Sequence, residues 1–269
     1  MEVLSDLAFE RISRLMHSSI GLSFPLSKKP LVSSRLASRM QRLGLDSFDD
    51  YADLVEADEQ GEFQMAVDLL TTNETYFFRE PAHYALLEAM LSREKPRSLR
   101  VWSAASSFGD EAYSTAMLLA DMAQMGRIGD EWSVLGTDIS DRVLQSAACA
   151  IYPEDRLREV TADRLRRYCL RGEGESSGMV QIGAKLRDRV RFGQLNLCEP
   201  VVNLGPFDVI FLRNVLIYFD QETKSAVVDN VLGQLRPGGL FFIGTAEGRV
   251  RCNTRLASLG PGAFRKATG

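Results

Sequence analysis

Leu99-Arg100-Val101-Trp102-Ser103-Ala104-Ala105-Ser106-Ser107-Phe108-Gly109-Asp110-Glu111 decides the fold. A short apolar run ends in small residues and a glycine, and two carboxylates stand where a helical pattern (111–125) begins. This is the layout of a strand passing through a tight loop into a helix, and small residues there let backbone approach a ligand closely. Outward from it the alternation repeats. Apolar runs at 132–139, 190–197, 207–212 and 239–244 are interspersed with helical patterns at 142–150 and 221–235. Strands alternating with helices predict an α/β fold with a doubly wound, mostly parallel sheet covered on both faces. Pro237-Gly238-Gly239 reads as a turn feeding the last run. Residues 153–193 break the alternation: a loop at 171–178 followed by 179–182 reads as a small antiparallel β insertion.

The first 90 residues carry a different period. Leu7, Ile12, Leu15 and Met16 suit one amphipathic helix, and Leu31, Leu36, Met40 and Leu43 a second, which Gly44 stops. Ser47 followed by Asp50 resembles the start of a third, and Phe63, Ala66, Val67 and Leu70 continue the pattern. Residues 81–92 read as a connecting helix and 95–98 as a boundary. The division expected is a helical domain at 1–90 and a sheet domain at 91–269.

The chain of 269 residues is 45% hydrophobic and 25% charged, ordinary values for a soluble protein. It has no apolar run near the roughly 20 residues that span a bilayer and no signal-peptide layout, so a cytoplasmic protein without membrane insertion is expected. Cys149, Cys169, Cys198 and Cys252 show no C-x-x-C spacing, which points to neither a metal site nor a disulfide framework. His17 and His83 are the only histidines, so catalysis by a histidine base is not expected. The net charge of −4 conceals an asymmetry: residues 11–45 hold seven basic side chains and no acidic one, and 46–64 hold eight acidic and no basic one. Such blocks are commonly solvated faces. Yet Arg35, Arg39 and Arg42 fall at i, i+4 and i+7, which aligns them as a basic ridge able to attract an acidic partner.

Ligands of a doubly wound sheet bind beyond the carboxyl ends of its strands. Asp110 and Glu111 there either complement the helix dipole or meet a cationic amine, and they would repel a phosphate. With no clean G-x-G-x-x-G, a pyrophosphate cofactor is disfavoured. Asp138 closes the second run, where an acidic residue caps a helix or accepts from a ribose diol. Asn196 could read a base edge with Leu197 against its face. Arg213 and Asn214 follow a wholly apolar run, where polar groups need partners from core or ligand. Ahead of the first run, Asn73, Thr75 and Arg79 stand among Tyr76, Phe77 and Phe78, a stretch fit to roof a polar ligand.

Together these segments resemble the CheR family of bacterial chemotaxis receptor methyltransferases. The set is Thr-Thr-Asn-x-Thr-x-Phe-Phe-Arg-Glu, Trp-Ser-Ala-Ala-…-Gly-Asp-Glu-x-Tyr-Ser, Thr-Asp-Ile, Asn-Leu, Phe-x-Arg-Asn-Val-x-Ile-Tyr-Phe and Pro-Gly-Gly-Leu, spread over residues 71–247. The resemblance implies an S-adenosylmethionine-dependent, Rossmann-like methyltransferase acting in signal transduction on glutamate side chains of chemoreceptors. It implies that Asn73, Thr75, Arg79, the Asp110/Glu111 pair, Asp138, Asn196, Leu197, Arg213 and Asn214 line the cofactor site. Arg79 and Tyr218 are then the candidate catalytic residues, Arg79 holding the cofactor's carboxylate or the incoming glutamate and Tyr218 shaping the acceptor pocket. It also implies that the basic helix (Arg35, Arg39, Arg42) docks on the receptor and that the insertion near 171–193 takes a receptor tail. The chain departs from the family at Ser106-Ser107-Phe108 (usually Cys-Ser-Thr), at Ala112 (usually proline) and at Thr245 (often histidine). Phe108 is expected to crowd the methionine moiety.

A glutamate is already ionised near pH 7, so methyl transfer to it needs no general base and the scarcity of histidine fits. Two rivals remain at this point. A nitrogen methyltransferase acting on nucleic acid or protein commonly carries Asn/Asp-Pro-Pro-Tyr/Phe where this chain has Arg213-Asn214-Val215-Leu216. A pI near 5.4 also gives nucleic acid little general attraction. A catalytically silent binding module is the other. A monomer is the default expectation.

Overall fold

The computed structural model describes residues 4–58, 61–248 and 251–268. Helices α1 (Asp6–Ile20), α2 (Lys29–Leu43), α3 (Phe48–Glu56) and α4 (Glu62–Leu70) come first. Ser5 and Ser47 cap α1 and α3 by accepting backbone N–H groups. Gly44, at φ +69°, ends α2 in the left-handed conformation that glycine adopts freely. Their apolar stripes meet in one core that includes Ile12, Met16, Leu36, Met40, Tyr51 and Val67.

Helix α5 (Pro81–Glu94) does not join that core. Tyr84, Leu87 and Leu91 are buried with the sheet, as are Phe77 and Phe78 just before it. The packing therefore changes hands near residue 71, where a long apolar pattern gives way to polar and aromatic residues. The sequence reading grouped α5 with the helices because its period is helical; the partner it packs on is not visible in that period.

Then follow β1 (Ser98–Ser103), α6 (Asp110–Gln124), β2 (Glu131–Asp138) and α7 (Asp141–Cys149). Next is an insertion of β3 (Ile151–Pro153), α8 (Ala162–Tyr168), β4 (Cys169–Arg171), β5 (Met179–Ile182) and α9 (Ala184–Arg187). The chain finishes with β6 (Val190–Gln194), β7 (Phe207–Leu212), α10 (Gln221–Gly233), β8 (Leu235–Ile243), β9 (Leu256–Gly260) and β10 (Ala263–Lys266). The large sheet runs β6-β2-β1-β7-β8-β10-β9, and the insertion forms a separate antiparallel sheet β3-β5-β4. The first five strands pair in parallel, whereas β10 pairs antiparallel with β8 and β9. The β9–β10 hairpin is absent from the sequence reading, its runs being short and half-polar. The insertion starts at Ile151, two residues ahead of the expected 153, and its last strand ends at Ile182.

Side chains of the central strands alternate between two cores, as a period of two requires. Val101, Val209, Phe211, Leu240 and Phe242 face α5 and α6. Trp102, Ile210, Leu212, Phe241 and Ile243 face α10. The winding reverses between β1 and β7, and the crevice opens over the carboxyl ends of β6, β2, β1 and β7. The helical domain leans over that crevice through direct bonds. Asn196 Nδ2 donates to Ser19 O at 2.7 Å, Ser23 N to Tyr218 O at 3.0 Å, and Gln64 Nε2 to Ile139 O at 3.1 Å.

Candidate active site

The crevice is a cleft of about 1020 Å³, counted with its open mouth. Asn73, Thr75, Arg79, Glu111, Asp138, Asn196, Leu197, Arg213, Asn214 and Tyr218 all line it, and Ile20 and Leu22 of the helical domain close one wall. Six separate stretches of sequence are thus brought to one place by the sheet's topology.

Asp110 is the exception. Its side chain is 0% exposed, turns away from the cavity and pairs with Arg156 of the insertion at 3.1 Å. Adjacent helical residues point about 100° apart, and here that turns Asp110 toward the insertion and Glu111 toward the cavity. Burial pushes the Asp110 carboxyl up to about 6, although Arg156 opposes the shift. Glu111 is the member that reaches the cavity. It accepts from Ser103 Oγ at 2.7 Å and from Arg213 Nη1 at 2.9 Å. Burial raises its carboxyl too, with Arg213 pulling the other way.

Asp138 accepts the N–H of Ser107 at 2.8 Å and that of Ser140 at 3.0 Å, one on each oxygen. Both readings of the sequence meet here: the carboxylate organises the loop, and each oxygen keeps a lone pair toward the cavity. Burial raises its pKa and those two backbone donors oppose the shift. Arg213 is 6% exposed and lies between Glu111 and Glu80, 3.4 Å from the latter, with a further bond to Arg79 O. Its Nε is buried with no protein partner among the described residues. Glu80 would be raised by burial, but Arg213 and then His83 bring it below its ordinary value.

The remaining candidates hold the walls together. Asn73 Oδ1 accepts from Ser107 Oγ at 3.3 Å, and Arg79 Nη1 donates to Glu74 O at 2.7 Å. Asn196 spends its amide on Ser19 O and accepts the Cys198 N–H at 3.0 Å, so it anchors the helical domain as well as lining the cavity. Tyr218 Oη donates to Thr72 O at 3.5 Å. Phe108 does not crowd the pocket as expected. Ser107 takes a left-handed turn (φ +49°) and sends the Phe108 ring under the Arg156 guanidinium, 4.7 Å away. Gly109 follows at φ +86°, where a Cβ would sit 2.9 Å from the Phe192 ring.

Among the described residues, four non-glycine positions with left-handed backbones ring the cavity or its roof, namely Phe78, Glu80, Ser107 and Asn214. Such positions cost about 1–3 kcal/mol each and persist where the surroundings over-determine them. Glu247 supplies part of that determination. Its carboxylate accepts the N–H groups of Gly244 (2.6 Å), Leu216 (2.7 Å) and Asn214 (3.0 Å), which fixes the loop carrying Arg213 and Tyr218. The sequence reading passed over Glu247. The signal was present in a glycine followed three residues later by glutamate, the spacing of a helix-start box.

The basic ridge of Arg35, Arg39 and Arg42 is in part engaged within the helical domain. Arg39 makes a bidentate pair with Glu62, which is 1% exposed and also accepts from Tyr51 Oη at 2.9 Å. Arg35 donates to Leu70 O at 2.7 Å and to Thr72 Oγ1 at 2.8 Å. Arg35 and Arg39 are thus half-buried against α4 and the segment after it, whereas Arg42 is exposed.

A family model described as "CheR methyltransferase, SAM binding domain" matches residues 73–260, and "CheR methyltransferase, all-alpha domain" matches residues 7–71. The chain belongs to the CheR methyltransferase family. A chemotaxis protein methyltransferase of Escherichia coli is 42% identical over 91% of this chain and 85% of its own length. Chemotaxis protein methyltransferase 2 of Pseudomonas aeruginosa is 37% identical over 96% and 92%. Among solved structures, the glycopeptide N-methyltransferase MtfA complexed with S-adenosyl-L-methionine matches at 18% identity and a TM-score of 0.35, covering 68% of this chain and 64% of that one. A TM-score at that level says nothing about a shared site. Membership in CheR makes the chain an S-adenosylmethionine-dependent methyltransferase, and the donor set of the cavity fits that cofactor. Carboxylates at Glu111 and Asp138 suit an amine and a ribose diol, and Arg79 and Arg213 suit a carboxylate.

Proposed function

We propose that this CheR enzyme methylates glutamate side chains of chemoreceptors in the cytoplasm, giving glutamate methyl esters. The observation that carries the reading is the placing of Glu111 and Asp138 in one cavity that no histidine lines among the described residues. Two carboxylates favour a cationic nucleoside over a phosphorylated one, and a site without a histidine suits an acceptor that arrives already ionised.

S-adenosylmethionine, when bound, supplies an electrophilic methyl group on a sulfonium. Everything else falls to the chain's own residues. Glu111 accepts from the amine, and the free lone pairs of Asp138 accept from ribose hydroxyls. Asn196 and Leu197 face the base. Arg79 and Arg213 bring donors to the carboxylate end, with Arg79 also placed to orient the incoming glutamate. Tyr218, bridged to Thr72, shapes the acceptor entrance beside the helical domain. Ile20 and Leu22 keep that wall apolar. Rate enhancement then comes from alignment and from stripping water off the carboxylate nucleophile. The acceptor is a methylation helix of the receptor. Arg42 is the exposed member of the Arg35, Arg39, Arg42 ridge and is left to meet it, and the antiparallel insertion offers strand edges to a receptor tail.

Methyl-labelled S-adenosylmethionine incubated with receptor-rich membranes tests the proposal. Label released as methanol by mild base is the expected result. Base-stable label would mean nitrogen methylation, and absence of label would mean a silent module.

A further inference from the structure

One cation sits outside the cavity yet touches the strand of chain that roofs it. Arg156 lies in the turn after β3, in the insertion, with its side chain 22% exposed. Its Nη2 donates to Thr75 O at 3.2 Å and to Asp110 Oδ2 at 3.1 Å. Its own carbonyl accepts the Phe77 N–H at 3.3 Å. The roof segment is thus gripped on both sides of Tyr76, once by side chain and once by main chain. Aromatic packing seals the grip: Phe77 meets Tyr152 of β3 edge-on at 5.0 Å, and the guanidinium covers Phe108.

We propose that Arg156 is a positioning residue that locks the roof segment 75–77 to the antiparallel insertion, so that the insertion's placement sets the geometry of the methyl-transfer pocket. The inference rests on the function proposed above for the pocket, but its mechanical part stands on the contacts alone. Thr75, Tyr76 and Arg79 line the cavity, whereas Arg156 does not. Helix α6 starts at Asp110 and carries Glu111, so the same cation also steadies the helix end that brings Glu111 to the site. The insertion reaches this point without slack. Glu154 N bonds Gly178 O at 3.0 Å and Ile182 N bonds Ala150 O at 2.9 Å, which ties the turn to the neighbouring strand β5. A shift of that small sheet is passed to Thr75 through one backbone turn. Its charge also explains why Asp110, at the family's carboxylate position, can be buried outside the pocket.

Three variants test the link: Arg156→Ala, Arg156→Lys and Asp110→Asn. Each is measured for amide hydrogen exchange over residues 73–80 and for S-adenosylmethionine affinity by calorimetry, with far-UV circular dichroism to certify folding. Arg156→Ala is expected to speed exchange in that segment and weaken cofactor binding by about tenfold, the size of one lost charge-assisted bond. Arg156→Lys, which keeps the charge but is shorter and lacks the planar guanidinium that covers Phe108, falls between it and wild type. Asp110→Asn leaves the Thr75 contact in place and loosens the segment less than Arg156→Ala. Unchanged exchange and affinity in a folded Arg156→Ala protein would overturn the proposal. So would equal losses in Arg156→Ala and Asp110→Asn, since the effect would then run through the buried pair and not the roof. Should Arg156→Ala not fold, Arg156→Lys is judged against Asp110→Asn by the same criteria. If wild type takes up no S-adenosylmethionine, the function proposed for the pocket fails, and exchange in the variants still decides the link.

Discussion

The basic face of α2 and the cavity at the sheet's carboxyl edge both stand out in the sequence as charge placed with purpose, yet their charges do opposite jobs. On α2, Arg39 is met by Glu62 and Arg35 by backbone carbonyls, so the guanidiniums hold two helices together. In the cavity, Glu111, Asp138 and Arg213 are also paired, but the carboxylates keep lone pairs for a ligand and Arg213 keeps a buried Nε without a partner among the described residues. Charge spacing along a helix tells which residues share a face. It does not tell what covers that face.

The contrast predicts different readouts on its two sides. Glu111→Ala has the largest expected effect. It leaves Arg213 buried with only Glu80 opposite and should lower stability by about 3 kcal/mol in urea titrations while abolishing measurable cofactor binding. Retained affinity would move the site's cationic end away from Glu111. Arg39→Ala should cost about 2 kcal/mol, because Glu62 loses its partner at a site where Arg39 is itself partly exposed. Calorimetry on that variant should give a cofactor affinity close to wild type, and a matching loss of affinity would blur the distinction drawn here. Asp138→Asn keeps the side chain's shape but turns one acceptor into a donor. A roughly 10- to 100-fold rise in the dissociation constant for S-adenosylhomocysteine follows, together with a lower thermal midpoint, because either the Ser107 or the Ser140 N–H then loses its acceptor.

Much of this was legible beforehand. The alternation after Leu99 gave the doubly wound sheet, and strand ends gave Asp138, Arg213 and Asn214, because those follow from local period and fold topology. What stayed hidden is non-local. Glu62 lies 23 residues from Arg39, and Arg156 lies 46 from Asp110. No pattern in a window shows such partners. The same reason hid the assignment of α5 to the sheet core. Choosing between Asp110 and Glu111 needed the helix's rotation, which its start at Gly109 fixes only once the loop is folded.

The smallest predicted effect concerns pH. Asp110 is held at about 6, above its ordinary value of 3.8, because burial disfavours the charge. The protonated form therefore favours the fold. This group's contribution is fully present below the ordinary carboxylate value and is lost as pH rises through about 6. Urea midpoints of wild type and Asp110→Asn compared between pH 4.5 and 7.5 should diverge in slope over that window. Parallel curves would show that the Arg156 pair fully offsets the burial.

The central claim is that the cavity over β1 and β2 receives a cationic sulfonium nucleoside. Titration calorimetry of the purified enzyme with S-adenosylmethionine and S-adenosylhomocysteine tests it most directly. The account predicts saturable one-to-one binding of both that Asp138→Asn weakens, and no heat from either ligand on wild type would contradict it.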